Sequence, residues 1–182
     1  MKKSIATLLV AVSAFAMNAN AADFRPYVGV DYNYDNGNAN NFNSGTVNVG
    51  TQFNDYFGTE VFYQKSDDNV KTYDYLRQET RNFNAYGIDL NGYLPMGCEQ
   101  EFALIGSLGI GEYTFNTGYN VATDLNNRDH GIGYRFGLGG LYNITDSVAV
   151  KAMARYVKFN KLADETEETD MMEYTAGVRY NF

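Results

Sequence analysis

The sequence is short of cysteine, proline and long apolar runs, and each shortage excludes a class of protein. Its single cysteine, Cys98, cannot form an internal disulfide bond, which excludes a disulfide-stabilised domain. Only two prolines interrupt 182 residues that also contain 18 glycines, a composition that suits long pleated strands. No run reaches the roughly 18 consecutive apolar residues of a membrane helix, so a helical membrane protein is excluded.

Positive charge is also scarce. The chain has 14 basic and 22 acidic residues, a net charge of −8, and an acidic chain has no electrostatic reason to bind nucleic acid. The mean hydropathy of −0.40 is polar, although 45% of the residues are hydrophobic. A membrane β-barrel reconciles the two values, because only half of its strand residues contact lipid.

The amino terminus has the features of an export signal. Lys2 and Lys3 precede an apolar segment from Ile5 to Met17, and Ala19-Asn20-Ala21 matches a small-x-small cleavage site. We therefore expect residues 1–21 to be a cleaved signal peptide and residues 22–182 to form the exported domain.

Apolar and polar residues alternate over much of the remaining chain. In the last twelve residues every second side chain is apolar, namely Met172, Tyr174, Ala176, Val178, Tyr180 and Phe182. Because side chains alternate across a strand, this segment has one face suited to lipid and one suited to a barrel interior. In hydrocarbon no water can satisfy an edge strand, so this last strand is expected to pair with the first.

The same alternation marks six further strands, and with the segment Glu101 to Phe115 they predict that residues 22–182 form one outer membrane β-barrel domain. The predicted fold is an all-β, eight-stranded, antiparallel, up-and-down transmembrane β-barrel. Three short turns lie on one side, and longer polar loops on the other, as is typical of bacterial outer membrane barrels. The fifth strand, Glu101 to Phe115, is apolar on both faces in its middle, and its register stays open. The predicted loops are Asn36–Ser44, Ser66–Thr80, Asn116–Arg128 and Asn160–Asp170.

Charged residues recur on the inward faces of these strands. An eight-stranded barrel is just wide enough for side chains to fill, so opposite charges inside it would pair. A structural polar core is the preferred interpretation, and a gated, small ion path is the alternative. The predicted interior charge network comprises Arg25, Asp31, Glu60, Asp89, Arg135, Lys151, Arg155, Glu173 and Arg179.

Candidates for catalysis or metal binding are few. His130, the only histidine, is followed by Gly131-Ile132-Gly133 rather than by a nearby serine, which argues against a hydrolase. The acidic run Asp164–Asp170 supplies oxygen atoms but no sign that they converge on a cation. Cys98 is assigned to a turn as an idle thiol. We expect no catalytic residue, no metal and no cofactor.

Three segments resemble a known family. Thr175–Phe182 resembles the carboxy-terminal assembly signal of outer membrane proteins, and Phe57–Tyr63 and Gly139–Thr145 resemble segments of OmpA-like and opacity-like eight-stranded barrels. The resemblance implies that the barrel-assembly machinery recognises this chain, and that Glu60 pairs with Lys151 or Arg155. The residues that it implies for the assembly signal are Gly177, Tyr180 and Phe182.

The sequence thus predicts a non-enzymatic protein of the outer membrane of a Gram-negative bacterium, with surface loops that act in adhesion, host interaction or envelope integrity. The alternatives are a small porin-like pore, an outer membrane lipid-modifying enzyme that depends on His130, and, more distantly, a soluble lipocalin-type barrel. We expect a monomer whose partners are outer membrane lipid and lipopolysaccharide, the barrel-assembly machinery, and a host or extracellular ligand at the loops.

Overall fold

A computed structural model describes residues 24–38, 40–74, 77–97, 101–120, 126–160 and 169–182. The predicted signal peptide, Cys98 and most of the acidic run Asp164–Asp170 lie outside these residues. The strands are β1 (Arg25–Gly37), β2 (Asn41–Gln52), β3 (Phe57–Ser66), β4 (Asn69–Asp74), β5 (Arg77–Met96), β6 (Phe102–Asn120), β7 (Asn126–Asn143), β8 (Val148–Asn160) and β9 (Asp170–Asn181). In the described part of the chain, no helix is long and apolar enough to cross a membrane.

The strands form one closed antiparallel barrel. Each strand pairs with its neighbours in sequence, except that β5 pairs with both β3 and β4, and β1 pairs with β9 to close the sheet. The short strand β4 pairs with β5 beyond the end of β3, so β3 and β4 together occupy one position around the barrel. The predicted eight-stranded fold and its closure by the last strand are confirmed.

The alternation of the sequence sets the two faces of the wall. Large apolar side chains point out all round the barrel, and among the most exposed are Val30, Leu90, Leu108 and Leu138, at 59–75%. Their neighbours along each strand point inward and are buried. Such an inverted surface is stable only against lipid, because in water it would leave a continuous apolar band uncovered.

Exposed aromatic residues form two rings. Phe57, Tyr142, Tyr180 and Phe182 lie near the short turns. The second ring, which we call the outer girdle, lies toward the opposite end and includes Tyr32, Tyr34, Tyr63, Tyr134, Tyr156 and Tyr174. Aromatic side chains prefer the two membrane–water interfaces, so the rings mark the membrane boundaries.

The predicted loop bounds are wrong for three of the four loops. Between β1 and β2 only residues 38–40 lie outside the strands. Ser66–Thr80 contains all of β4 and the start of β5, and Asn116–Arg128 contains the last residues of β6 and the first of β7. Above the membrane the outward face of the sheet meets water rather than lipid, so these polar stretches form strands without an apolar outward face.

The structure also fixes the register of β6, which the sequence left open. Ala103, Ile105 and Tyr113 point inward and are buried, whereas Leu104, Leu108 and Ile110 face the lipid. The strand is apolar on both faces because its inward residues belong to apolar clusters inside the barrel.

Candidate functional site

The middle of the barrel interior holds a belt of paired charges. Glu173 lies at its centre, where Oε1 accepts hydrogen bonds from Arg155 Nη1 at 2.7 Å and Arg135 Nη2 at 3.0 Å. Asp89 lies on the other side of Arg135, with 3.5 Å between Oδ2 and Nη1. All four side chains are almost completely buried, and each has an opposite charge within 3.5 Å, which offsets the cost of burying the charges.

A second group in the belt is centred on Lys151. Its Nζ lies 2.9 Å from Asp31 Oδ2 and 3.5 Å from Glu60 Oε2. The pairing of Glu60 therefore involves Lys151, whereas Arg155 bonds to Glu173. Tyr27 donates a hydrogen bond of 3.1 Å from its hydroxyl to Glu60.

Two of the predicted network residues lie elsewhere. Arg25, at the start of β1, is half exposed at the mouth on the turn side and pairs with Asp55 of the β2–β3 turn. It is not part of the belt, because β1 reaches the rim of the barrel at this residue. Arg179 is buried but lies near the same mouth, where Nη2 donates to Gln52 Oε1 at 3.0 Å.

Sequence reasoning missed Asp35 and Gln64 as members of the belt. Ser44 Oγ donates to Asp35 at 2.5 Å, and Gln64 Nε2 donates to Glu173 Oε2 at 2.9 Å and to Asp35 Oδ1 at 3.3 Å. The signal that could have found them is the alternation itself, which puts Asp35 on the same face as Asp31.

Apolar clusters cover the belt at both ends. Toward the outer girdle, aromatic rings pack edge to face or tilted, with centroids 5.3 Å apart for Phe42 and Phe83 and 5.5 Å apart for both Phe83–Phe115 and Phe115–Phe159. We call this the aromatic plug. Toward the turns, a smaller cluster contains Tyr93, Ile105, Leu141 and Met153. The barrel interior is thus filled in three layers.

Beyond the outer girdle the barrel wall is uneven. β5, β6 and β7 have 20, 19 and 18 residues, whereas β1, β2, β3, β8 and β9 have 10–13. The long strands and β4 continue upward as a four-stranded sheet, made of residues 69–74, 77–83, 115–120 and 126–131, which we call the wing. At about 3.3 Å per residue, seven residues of β5 extend roughly 23 Å along the strand.

Hydrogen-bonded polar side chains cross the outward face of the wing. Asn82, Asn116 and Arg128 lie opposite one another on β5, β6 and β7. Arg128 Nε donates to Asn116 Oδ1 at 2.9 Å, Asn116 Nδ2 donates to Asn82 Oδ1 at 2.9 Å, and Asn82 Nδ2 donates to Asp68 at 2.7 Å. We call these four residues the polar ladder. A face this polar belongs in water rather than in lipid.

His130 lies on the same face, below the ladder. Its Nδ1 is 3.0 Å from the Thr114 hydroxyl and 3.8 Å from Glu112 Oε1. A nucleophile–base–acid relay needs the hydroxyl and the carboxylate on opposite ring nitrogens. Here both approach the same nitrogen, so the arrangement lacks the geometry of a hydrolase. Within the described residues no three histidine, cysteine or acidic side chains converge to hold a metal.

Two residues of the predicted assembly signal, Gly177 and Tyr180, lie on opposite faces of β9, and the third, Phe182, directly follows the strand. Tyr180 and Phe182 point outward at 48% and 75% exposure, and their rings meet edge to face at 5.3 Å. Gly177 points inward, directly between Asp31 of β1 and Lys151 of β8.

Comparison with protein families settles what kind of barrel this is. The family model described as "Outer membrane protein beta-barrel domain" matches residues 5–182. The chain belongs to this family. It is therefore a β-barrel protein of the Gram-negative outer membrane, as the sequence predicted, and the resemblance to eight-stranded outer membrane barrels is confirmed. No curated protein matches the chain.

Solved structures show the same barrel at low sequence identity. Neisserial surface protein A is 18% identical, with a TM-score of 0.63 over 87% of this chain and 97% of that one. Ail, the attachment invasion locus protein of Yersinia pestis, is 15% identical, with a TM-score of 0.57 over 87% and 97%. The amino-terminal barrel domain of Pseudomonas aeruginosa OprF is 17% identical, with a TM-score of 0.59 over 86% and 97%. These likenesses concern the fold of the family.

Proposed function

We propose that this outer membrane barrel is a non-enzymatic surface protein that uses its wing to bind an extracellular partner in adhesion or host interaction. The observation that carries the proposal is the wing, a sheet that, among the described residues, continues well beyond the outer girdle on one side of the barrel. A barrel that only had to cross the membrane would need strands of about 9–11 residues.

The edge of the wing supports binding by strand addition. Among the described residues, 126–131 of β7 pair with β6, and the pairing of β7 with β8 begins at Ile132. A strand that extends past its neighbour presents backbone N–H and C=O groups to an incoming strand. The favoured partner is therefore a protein that offers an extended segment.

The filled interior favours surface binding over transport. The aromatic plug lies across the outer end, and the paired charges of the belt occupy the space below it. The geometry around His130 weighs against an enzyme for the reason given above. The name of Ail, an attachment invasion locus protein, adds support for a surface role on this fold.

The test compares intact cells that display the wild-type barrel with cells that display a shortened wing. Asn-Gly replaces residues 69–81 and residues 116–128, since this dipeptide forms tight hairpin turns. Phe83 and Phe115 are retained, so the aromatic plug stays intact. Binding to immobilised matrix proteins and to host cells is measured at matched surface amounts, with folding verified by heat-modifiable gel mobility.

A matched control has Asn-Gly in place of residues 161–168 and keeps the wing. We expect the shortened wing to reduce binding at least about tenfold, equivalent to about 1.4 kcal/mol, and the control to bind like wild type. Equal binding by wild type and the wing variant would contradict a role of the wing in binding. A loss confined to the control would move the binding site to residues 161–168.

A further inference from the structure

A polar vestibule opens at the turn end of the barrel, on the side opposite the wing. Its volume is about 500 Å³, within the range of small-molecule sites. Buried Arg179, Tyr93 and Leu141 lie at its floor, and exposed Glu101 and Asp146 lie at its rim.

Arg179 differs from the other buried cations. Arg135, Lys151 and Arg155 each pair with a carboxylate, whereas Arg179 has no carboxylate within 4.0 Å among the described residues. Only 5% of Arg179 is exposed. A buried charge without a counterion is costly, so a built site that keeps one is suited to an anionic partner.

The guanidinium of Arg179 is held in place but retains bonding capacity. It lies 4.3 Å from the ring centroid of Tyr27 and 5.8 Å from that of Tyr93. Nη2 donates to Gln52 and Nη1 donates to the Tyr93 hydroxyl at 3.4 Å, whereas Nε has no hydrogen-bond partner in the described part of the chain. Guanidinium has five N–H donors in a planar fork that matches a carboxylate.

The rim has the opposite charge. Glu101 and Asp146 line the vestibule, and no ion pair occupies either carboxylate within the described ranges. The third acidic group of the rim, Asp55, is already paired with Arg25. A cation at the floor and two carboxylates at the mouth favour a ligand with a negative end and a positive end.

We propose that the vestibule binds a small zwitterion, an amino acid or short peptide, with its carboxylate on Arg179 and its ammonium group at Glu101 and Asp146. This site faces the compartment of the short turns and is independent of the wing. The side-chain amides that border it, including Asn181, suit the peptide groups of such a ligand.

The test is a titration of the full folded barrel in detergent micelles, labelled with ¹⁵N-arginine. The Nε–H resonance of Arg179 is identified by its loss in Arg179→Lys. The probes are L-alanyl-L-alanine, its N-acetyl derivative, which lacks the ammonium group, and its carboxamide, which lacks the carboxylate. We expect a saturable shift with the dipeptide below about 10 mM, and at least about tenfold weaker binding of the carboxamide.

A rim variant keeps the proposal decisive if substitution of Arg179 prevents folding. Glu101→Gln with Asp146→Asn changes exposed side chains only, and should lower affinity for the dipeptide severalfold to that of its N-acetyl derivative. Asp67→Asn with Asp170→Asn, at the far end of the barrel, makes the same charge change. This control should change the affinity for neither the dipeptide nor its N-acetyl derivative. The proposal is overturned by the absence of a saturable shift, or by equal binding of the dipeptide and either derivative.

Discussion

Three interior glycines each lie between two side chains that bond across them. Written as side chain, glycine and side chain on three adjacent strands, the sets are Asp31–Gly177–Lys151, Asp89–Gly109–Arg135 and Tyr27–Gly50–Glu60. Strands two positions apart are about 10 Å apart, so such partners meet only if the strand between them offers no side chain. A Cβ at any of these glycines would overlap the carboxylate or phenol above it.

The substitution Gly177→Ala tests this role of glycine. We expect it to lower the free energy of unfolding by about 1–3 kcal/mol, because the new methyl group forces Asp31 away from Lys151. The measurement is urea unfolding in detergent micelles, followed by tyrosine emission. The chain has no tryptophan whose emission would overlap with that of tyrosine. Refolding without assembly machinery separates packing from recognition of the carboxy-terminal signal.

Gly45→Ala is the control, since a Cβ at Gly45 meets nothing within 4 Å. It should stay within about 0.5 kcal/mol of wild type. If both variants unfold like wild type, Gly177 is not required for the Asp31–Lys151 pair.

Glu173→Gln tests the centre of the belt. The amide keeps the shape but removes the charge that Arg135 and Arg155 share, and loss of one partner from a buried pair costs about 3–5 kcal/mol. Asp170→Asn on the same strand is the comparison, because Asp170 and Lys158 are 3.6 Å apart and substantially exposed. It should cost no more than about 1 kcal/mol in the same urea unfolding experiment. Similar losses in both variants would contradict a stabilising role for the belt.

At the scale of the strand, the sequence predicts well wherever one face meets lipid and the other is polar. That condition holds for β1, β7 and β9, and the inward positions of Asp31, Arg135 and Glu173 followed from it. It fails for β6, because Tyr113 and Phe115 pack inside the barrel and remove the polar face. Alternation shows whether a side chain points into the barrel but not its position along the barrel axis. The sequence therefore could not distinguish Arg25, at the rim, from Arg155, in the belt.

The extent of the wing was missed for a related reason. Asparagine-rich segments such as Asn116–Arg128 favour turns by local propensity, but a hairpin already aligned by the barrel below supplies the pairing that propensity lacks. The sequence identified these segments as polar and external. Only the pairing register shows that Asn82, Asn116 and Arg128 meet in a row.

Asn116→Ala tests whether the polar ladder stabilises the wing as an element. It removes two of the three hydrogen bonds of the ladder, each worth about 1 kcal/mol. We expect amide hydrogen exchange in β6 and β7 above Thr114 to accelerate by at least about tenfold, with no change in the amides of β8 and β9. Acceleration throughout the barrel would show instead that the wing and barrel unfold together.

At the scale of the whole molecule, the layered interior and the wing have different roles. The aromatic plug, the belt and the apolar cluster near the turns stabilise a barrel wall that has no edge within the membrane. The wing stands in water, where a sheet edge can remain open for a partner. The strands β5, β6 and β7 belong to both, so the rigid barrel fixes the orientation of the wing.

The layering also predicts the electrical behaviour of the protein, and so tests the pore alternative. We expect no stepwise conductance from the wild-type barrel in planar bilayers, and none from Glu60→Gln or Phe115→Ala, because each substitution alters one layer and leaves two in place. Insertion is verified by gel mobility, and a known open pore is recorded in parallel as a positive control.

A gated ion path makes the opposite prediction. It predicts conductance steps in the wild type whose size changes with Glu60→Gln, since that residue would then line the path with Lys151. Such steps would mean that the belt opens in the membrane, and the filled interior would be one state of a channel rather than the core of a scaffold.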